Sequence, residues 1–367
     1  MSHSSTLEPA DAWLALTITL RLAVVSLLVW LGLALGAIAF DYALGRHTTL
    51  TFISSREGRY QVYLLDTERL LVHPLVEQNI APCCIAWSPD GTRLAFARLP
   101  NPSAAPLFSI YTYNINTDQI RLLAEDASSA STAWSPDGEQ FAYTSMIDNR
   151  HAPRIIDVTG TQPRDTAVQV PASQGQIRSS YAWSPDGSHL LAAARSESGN
   201  TLLVVNPDDT GERILTEHEG SILFPTWSPD GQHILYGAEQ DGYVQIYVID
   251  LEGREQALTA DQHDKVWFVW SADGQQILYL SQLADERYTF QIINADGSDP
   301  RQIVLLEGAV SLPAWSPDGR AIAFPLESQL YLMNIDGSGL RRLTQNAFSD
   351  LNPLWLPLTN PFAINLP

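Results

Sequence analysis

The chain has 367 residues, of which 45% are hydrophobic and 17% are charged, which is enough apolar side chain for a large core. Its 41 acidic and 21 basic residues give a net charge of −20. This argues against a nucleic-acid partner, because such partners are bound through basic patches. No Cys/His pattern with zinc-binding spacing occurs, so no metal or other cofactor is predicted.

The N-terminal region contains one long apolar run. Residues 1–21 form a polar tail, and residues 22–40 form an uncharged run of 19 residues that ends before Asp41. About 20 apolar residues are needed to span a bilayer as a helix. The sequence therefore predicts a single transmembrane helix over residues 22–40, acting as an uncleaved signal-anchor, and a linker over residues 41–49.

A cleaved signal peptide is the alternative, since Ala37-Ile38-Ala39 resembles a small-x-small cleavage site. The polar tail would then be an unusually long n-region, and it carries Glu8 and Asp11. Flanking charges do not fix the orientation. Arg21 precedes the apolar run and Arg46 follows it, but large domains are translocated largely regardless of such charges.

Residues 50–367 are organised around one recurring pentapeptide, Trp-Ser-Pro-Asp-Gly. Five copies are intact, a sixth has alanine in place of proline, and a remnant keeps its tryptophan. Successive tryptophans lie 40 to 49 residues apart, a period typical of repeat folds. The motif residues are Trp87, Asp90, Gly91, Trp134, Asp137, Gly138, Trp183, Asp186, Gly187, Trp227, Asp230, Gly231, Trp270, Asp273, Gly274, Trp315, Asp318, Gly319 and the remnant Trp355.

The pentapeptide is interpreted as a β-turn. Proline presets φ at the first central position, aspartate suits the second, and glycine supplies the left-handed conformation that closes a hairpin. The alternative is that the repeated aspartates are catalytic or bind metal. A catalytic residue does not need to recur in every unit, so the structural role is favoured.

Each unit repeats the same order of short strands. One strand runs into the tryptophan, and the pentapeptide turns the chain into a second strand such as Leu94–Ala97. A third strand follows, as at Gln245–Ile249, and then a short fourth strand, as at Arg342–Thr344. Four antiparallel strands in a unit of this length predict an all-β fold, the β-propeller.

The two ends of the repeat region are complementary. The hairpin at Thr51–Asp66 lacks a tryptophan strand, whereas residues 352–366 supply one at Trp355. We therefore predict seven four-stranded blades, with one blade closed from both ends of the chain, which removes exposed sheet edges. A six-bladed ring with an appended hairpin is the alternative. Thr51–Ser55 and Phe362–Leu366 both resemble second strands, so one of them is redundant.

The adjacent cysteines, Cys83 and Cys84, precede Trp87. They are interpreted either as two small residues of a strand or as a vicinal disulfide formed in an oxidising compartment. The sequence does not decide between these states.

The repeated Trp-Ser-Pro-Asp-Gly, the Ile-Tyr-Val-Ile-Asp strand at residues 246–250 and the closing Arg-x-Leu-Thr resemble the repeats of TolB-type β-propellers. The resemblance covers residues 50–366. It implies an extracytoplasmic bacterial or archaeal propeller that acts as a scaffold or binding platform. A membrane helix here takes the place of TolB's own N-terminal domain, so the resemblance does not carry TolB's particular partners. The repeats also resemble the propellers of prolyl-oligopeptidase-type peptidases, whose separate hydrolase domain has no counterpart in this chain.

No catalytic constellation stands out in the sequence. It contains no G-x-S-x-G elbow, no dinucleotide or phosphate-binding loop and no H-E-x-x-H pair. His218 and His263 are interpreted as loop residues between blades. A metal-dependent lyase acting on polysaccharide fragments remains the enzymatic alternative, because some similar propellers bind metal through several histidines. Two histidines alone do not complete such a site.

The predicted binding site lies where the innermost strands reach the mouth of the channel, four to six residues before each tryptophan. These positions are polar and differ between blades, whereas purely structural positions would be alike. The sequence therefore predicts a non-enzymatic, membrane-anchored platform for a protein, small-molecule or saccharide partner. A purely structural or sensor ectodomain is a further alternative. The candidate residues are Arg178, Ser179, Ser221, Asp264, Lys265, Ser311 and Asp350.

Overall fold

The computed structural model describes residues 48–82, 84–98, 107–147, 150–158, 163–165, 181–195, 199–207, 211–284 and 286–357. These residues contain 27 β-strands and no helix. The predicted transmembrane helix and the second-strand candidate Phe362–Leu366 lie outside the described residues.

The strands form seven antiparallel four-stranded blades, as the complementary ends of the repeat region predict. In chain order, the first three blades use β1 (Thr49–Ser54), β2 (Gln61–Asp66), β3 (Leu71–Val76), β4 (Ile85–Trp87), β5 (Arg93–Arg98), β6 (Phe108–Asn114), β7 (Gln119–Trp134), β8 (Gln140–Ile147), β9 (Arg150–Asp157) and β10 (Pro163–Asp165). Blades 4 and 5 use β11 (Tyr181–Trp183), β12 (Leu190–Arg195), β13 (Asn200–Val205), β14 (Glu212–His218), β15 (Ile222–Trp227), β16 (His233–Gln240), β17 (Tyr243–Asp250) and β18 (Glu255–Ala257). Blades 6 and 7 use β19 (Asp264–Trp270), β20 (Gln276–Gln282), β21 (Arg287–Asn294), β22 (Arg301–Glu307), β23 (Ala314–Trp315), β24 (Ala321–Leu326), β25 (Gln329–Asn334) and β26 (Arg341–Arg342), and the last strand is β27 (Asp350–Trp355).

Blade 1 is built from both ends of the described chain. Its strand order is β27-β1-β2-β3, and Leu50 of β1 pairs with Trp355 of β27. The strand at Thr51–Ser55 is thus the second strand of this blade. The six-bladed alternative is wrong, because the remnant repeat at Trp355 completes a seventh blade.

Blades 2 and 3 share one long strand. The 16 residues of β7 pair with β6 through their first part and with β8 through their last part. The same strand is therefore the outermost strand of blade 2 and the innermost strand of blade 3. This continuity explains why the two blades form one seven-stranded sheet.

The core is divided among the contacts between blades. The described residues form seven apolar clusters, one between each pair of neighbouring blades. The second strands supply most of the fully buried aromatic rings, including Phe96, Tyr143, Tyr236, Tyr279 and Phe324. Because each blade has two apolar faces, no blade can bury its surface alone, and the ring must close.

Candidate functional site

The meander of each blade separates two faces of the ring. Antiparallel order places the first and third turns of a blade on one face, and the second turn and the crossing to the next blade on the other. We call the first the turn face, since it carries the Trp-Ser-Pro-Asp-Gly turns, and the second the variable face. The strands that end at the motif tryptophans lie beside one another around the ring and are therefore the innermost strands.

The turn face is built by the same hydrogen bonds in blades 2 to 7. In the first copy the Ser88 hydroxyl donates to Asp90 over 2.5 Å and accepts from the backbone N–H of Arg93, while the N–H of Gly91 donates to the Ser88 carbonyl. Gly91 has φ of 66°. The Ala272 copy forms the same turn, with Ser271 donating to Asp273 over 2.6 Å. The structural interpretation of the motif fits these contacts.

The repeated aspartates are fixed as hydrogen-bond acceptors. In the third copy, the Ser184 hydroxyl and the backbone N–H and hydroxyl of Ser188 hold the pKa of Asp186 at about 2. Successive turns also touch, since a Cβ on Gly231 would lie 3.5 Å from the Cδ of Pro185 in the preceding turn. A carboxylate used in this way closes a turn and is poorly placed for a separate chemical task.

The motif tryptophans connect neighbouring blades. Trp134 donates its indole N–H over 3.1 Å to the carbonyl of Ala86, the residue before the preceding motif tryptophan. Trp183, Trp227 and Trp355 make the equivalent bond. Trp87 does so through a relay, donating to the Thr51 hydroxyl, which in turn donates to the Leu354 carbonyl. The remnant copy at Trp355 therefore joins blades 7 and 1 in the usual manner.

Two of the predicted binding residues are buried structural groups. Lys265 and Asp350, each five residues before a motif tryptophan, have no exposed surface. The Lys265 ammonium donates to Asp261 over 2.6 Å and to the His263 carbonyl over 2.7 Å. Burial lowers the pKa of Lys265, and the hydrogen bond and charge of Asp261 oppose that effect. Asp350 accepts from Ser54 and from Asn346 over 2.5 and 2.8 Å.

The other predicted residues differ in their surroundings. Ser221 and Ser311 are exposed on the variable face, and Asp264 is half-buried and accepts a hydrogen bond from the Val244 N–H over 2.8 Å. Arg178 and Ser179 lie outside the described residues. Among the described candidates, the exposed ones are therefore the two serines, Ser221 and Ser311.

A set that the sequence analysis missed lies two positions nearer to the motif tryptophans. The third residue before the motif tryptophan is Phe224 in blade 5, Trp267 in blade 6 and Leu312 in blade 7. Phe224 is 46% exposed and Leu312 is 48% exposed, while Trp267 is half-buried. We call these three residues the apolar arc. An alignment of the repeats on their tryptophans would have found the apolar arc. It shows large apolar residues at a position where the alternation of the strand predicts a different residue type.

The backbone explains why these side chains are presented. Phe224 has φ of 50°, and the equivalent residues Cys84 and Asn352 have φ of 72° and 49°. The pairing register shifts at this point in blades 5 and 1, and one residue earlier, at Val266, in blade 6. A β-bulge re-aims the side chain of its extra residue, and bulges are common next to functional sites. In blades 5 and 1 the bulge therefore places one variable residue, Phe224 or Asn352, on the innermost strand.

A cavity of about 450 Å³ lies beside the arc on the variable face. Its walls come from the second turn of blade 7 and from the crossing between blades 7 and 1. The exposed Phe348 and the half-buried Tyr331 contribute aromatic surface. The lining residues are Leu326, Glu327, Ser328, Gln329, Tyr331, Arg342, Asn346, Ala347, Phe348 and Ser349.

The turn that lines this cavity is strained. Glu327 and Ser328 have φ of 50° and 59° between the paired residues Leu326 and Gln329, the conformation of a type I′ turn. Such turns favour Asn-Gly or Asp-Gly, as at Asp241-Gly242 in blade 5. Neighbouring segments hold the strained turn on both sides. The Ala309 N–H donates to Glu327 Oε1 over 2.6 Å, and the Asp350 N–H donates to the Ser328 carbonyl over 2.9 Å.

His218 is the last residue of β14 rather than a loop residue. Its Nε2 lies 3.0 Å from the Tyr236 hydroxyl and 3.3 Å from Glu255 Oε2, and the Tyr236 hydroxyl donates to Glu255. Burial and then the hydrogen bond to Glu255 raise the pKa of Tyr236. His263, by contrast, contacts Asp261. The two histidines thus belong to different clusters, and His218 serves the contact between blades 4 and 5.

The described residues contain neither a candidate metal cluster nor a candidate membrane-spanning helix. No group of three or more His, Cys, Asp or Glu side chains in them is arranged to hold a metal ion. None of the described segments forms a helix long and apolar enough to cross a membrane.

Cys84 is disulfide-bonded and precedes β4 with φ of 72°. The sequence has only one other cysteine, the adjacent Cys83, which lies outside the described residues. Of the two states considered for the cysteines, the structure therefore contains the disulfide.

The ring order and its two faces define the class of the protein as a seven-bladed β-propeller. A family model described as the TolB beta propeller domain matches residues 130–305. Over these residues the repeats are thus of the TolB type, as the repeated pentapeptide indicated.

A curated relative extends this likeness to a short stretch. The Tol-Pal system protein TolB of Thioalkalivibrio sulfidiphilus is 33% identical over 72 residues. These residues are 18% of this chain and 16% of the relative, so the match spans about a sixth of that protein's length.

Solved structures share the fold at low sequence identity. TolB from Acinetobacter baumannii is 21% identical with a TM-score of 0.53, over 87% of this chain and 85% of its own. An oligogalacturonate lyase in complex with manganese is 15% identical with a TM-score of 0.60, over 81% of this chain and 85% of its own. Both a Tol-Pal-type protein and a lyase are therefore built on a fold of this kind, and fold alone does not assign the activity.

Proposed function

We propose that the protein is a membrane-anchored, extracytoplasmic binding platform whose variable face holds a protein partner without catalysing a reaction. The observation that carries this proposal is the apolar arc. Three large apolar residues occupy the third position before the motif tryptophan in three consecutive blades, and two of them are almost half exposed. Exposed aromatic and aliphatic side chains grouped in this way are typical of the anchors of protein interfaces.

The cavity beside the arc extends the proposed site. Val310, two residues before Leu312, bridges to Leu326 in the cavity wall. The arc and the cavity are thus contiguous from blade 5 to the crossing into blade 1. Polar groups at Ser311, Asn346 and Ser349 border the apolar residues, which matches the division of protein interfaces into an apolar centre and a polar rim.

The two faces of the ring support a division of tasks. On the turn face blades 2 to 7 carry the same hydrogen-bonded turn, so that part of the face is accounted for by folding. On the variable face the equivalent positions hold Phe224, Trp267, Leu312 and Asn352, which no common structural need explains. Binding is the simplest task for a surface of this kind.

The proposed membrane anchor and the proposed extracytoplasmic location are supported by separate observations. The uncharged run at residues 22–40 has the length of a spanning helix. The disulfide at Cys84 suits an oxidising compartment outside the cytoplasm, since disulfides are rare in reducing ones. The likeness to a Tol-Pal system protein supports a partner at the cell envelope.

Photo-crosslinking in native membranes tests the site. A crosslinking residue placed at position 224 or 312 of the full chain should capture one partner, whereas one at position 305 should not. Leu305 is a matched control, because it is 45% exposed but lies on the outermost strand β22. Equal adducts at all three positions would remove the site from the variable face.

Alanine substitution tests the energetic role of the arc. Phe224→Ala or Leu312→Ala should weaken capture about ten-fold, the loss expected for an interface anchor, while Leu305→Ala should leave it unchanged. Lys265 and Asp350 are unsuitable for this purpose, because their substitution would disturb the fold. Turnover of an oligosaccharide by purified protein, lost on Phe224→Ala, would instead favour the lyase alternative.

A further inference from the structure

The outer rim of blades 1 and 2 carries an unusual group of exposed apolar residues. Leu70 and Leu71 are 47% and 50% exposed, and Ile120 and Leu122 are 38% and 39% exposed. We call these four residues the rim groove. They begin the outermost strands β3 and β7, close to the third turn of each blade, and therefore lie near the turn face.

The pairing register places Leu71 on the side of blade 1 that faces blade 2, and Ile120 and Leu122 on the side of blade 2 that faces blade 1. Val72 packs on the cluster between blades 7 and 1, so its neighbour Leu71 points to the opposite side, towards blade 2. Ile120 and Leu122 pair with Tyr113 and Tyr111, which belong to the cluster between blades 1 and 2. Residues that pair across antiparallel strands share a face, so both also lie on the side of blade 1.

The chain enters the propeller beside this groove. The carbonyl of Thr48, the first described residue, accepts a hydrogen bond from the Thr67 N–H over 2.7 Å. Thr67 opens the turn that carries Leu70. Only seven residues lie between Phe40, the last residue of the apolar run, and Thr48, which makes eight steps from Cα to Cα. Fully extended, they reach at most about 29 Å, so a membrane-inserted run would hold this rim close to the bilayer surface.

The charges around the groove nearly cancel. Glu68 and Arg69 are exposed in the same turn as Leu70, and Arg69 lies 3.6 Å from Asp66. An anionic surface is therefore not required to attract this edge. Apolar side chains of this size partition into the boundary between headgroups and acyl chains.

We propose that the rim groove is a membrane-contact edge, in which Leu70, Leu71, Ile120 and Leu122 insert into the surface of the bilayer that holds the N-terminal anchor. The contact fixes the tilt of the propeller and keeps the variable face turned away from the lipid. This inference rests on the membrane anchor of the proposed function, but not on the identity of the partner.

Spin labels on the full chain in neutral phosphatidylcholine vesicles test the contact. Labels at Leu71→Cys and Ile120→Cys are compared with Ile214→Cys, which is 55% exposed on β14 of blade 4, away from blades 1 and 2. Labelling without reductant leaves the native disulfide intact. An unchanged thermal transition confirms that each variant is folded.

The groove labels should collide several-fold less with a water-soluble nickel chelate than the Ile214 label, and more with lipid-soluble oxygen. Equal exposure of all three labels to nickel would overturn the proposal. So would shielding of the groove labels from both reagents, because the groove would then be covered by protein, either the apolar run itself or a second copy. Flotation of the vesicles separates the two failures: a protein that does not float lacks the anchor, whereas one that floats with exposed labels lacks only the contact.

Discussion

The Ser54 hydroxyl donates a hydrogen bond to the Asp350 carboxylate over 2.5 Å, although 296 residues separate them in the sequence. Ser54 ends the first strand of the propeller and Asp350 begins the last. Arg56 approaches the same carboxylate to 3.4 Å while its guanidinium lies 4.4 Å from the Tyr63 ring. A single buried carboxylate thus joins the two ends of the ring.

Removal of that carboxylate should weaken ring closure. Asp350→Ala leaves the buried Ser54 hydroxyl and the Asn346 amide without their acceptor, and should lower the free energy of unfolding by about 3 kcal/mol. Asp350→Asn, which keeps one oxygen, should cost less. Urea denaturation followed by tryptophan fluorescence measures both. Unfolding midpoints equal to that of the unmodified protein would show that closure does not depend on this contact.

Truncation tests closure more severely. A chain that ends at Leu351 loses Trp355, its bond to the Ala314 carbonyl and most of β27. The outer three strands of blade 1 would then have no inner partner, and both apolar faces of the blade would be partly uncovered. We expect loss of the cooperative thermal transition in circular dichroism. An unchanged transition would contradict the seven-bladed closure.

The fold could be predicted because its repeat is a local signal. A turn such as Trp134–Gly138 is specified by five consecutive residues, and its recurrence sets the blade boundaries. The complementary ends at Thr51 and Trp355 then give the number of blades.

The site was harder to predict, since it depends on contacts that are distant in sequence. The Lys265 ammonium can be buried because Asp261 and the His263 carbonyl accept its hydrogen bonds. Nothing in the sequence distinguishes this lysine from an exposed one. The exposure of Phe224 depends on a bulge, and an isolated bulge gives no compositional signal when the residue is not glycine. The strained turn at Glu327-Ser328 lacks the glycine that normally reveals a type I′ turn.

The tryptophan bonds between blades allow a matched comparison. Trp134 and Trp270 are each 8% exposed. Trp134 donates to the Ala86 carbonyl, whereas the indole N–H of Trp270 is buried without a partner among the described residues. Trp134→Phe should therefore lower the free energy of unfolding by about 1 kcal/mol more than Trp270→Phe. Equal losses would mean that the indole bond does not contribute to stability.

The state of the cysteines can be read by mass spectrometry. Because Cys84 is disulfide-bonded, iodoacetamide should leave the mass of the unfolded, unreduced protein unchanged. After reduction, two adducts should form, one for each cysteine of the sequence. Protein isolated with two adducts before reduction would contradict the disulfide and remove its support for an oxidising compartment.

The low pKa of the turn aspartate Asp186 predicts that acid lowers the stability of the propeller. The hydrogen bond from Ser184, and then those from Ser188, hold the pKa of Asp186 at about 2, below its ordinary value of 3.8. Its contribution to stability is therefore complete above about pH 4 and is lost as the pH falls through about 2. Asp186→Asn should be less stable than the unmodified protein at neutral pH, and the difference should shrink towards pH 2. A difference in stability between the two proteins that does not depend on pH would show that ionisation of Asp186 does not cause it.

The strained turn at Glu327-Ser328 allows a test of whether the proposed binding site is maintained at a cost in stability. The double substitution Glu327→Asn and Ser328→Gly supplies the residues that a type I′ turn favours. Relief of two unfavourable φ values should raise stability by about 1 to 2 kcal/mol, partly offset by the lost bond from the Ala309 N–H to Glu327. The same change removes two side chains from the cavity wall, so crosslinking of the partner from position 312 should fall. As a control, Asp241→Asn in the relaxed turn of blade 5 should alter neither property. A turn variant that is more stable and still captures the partner fully would show that the strain is not used for binding.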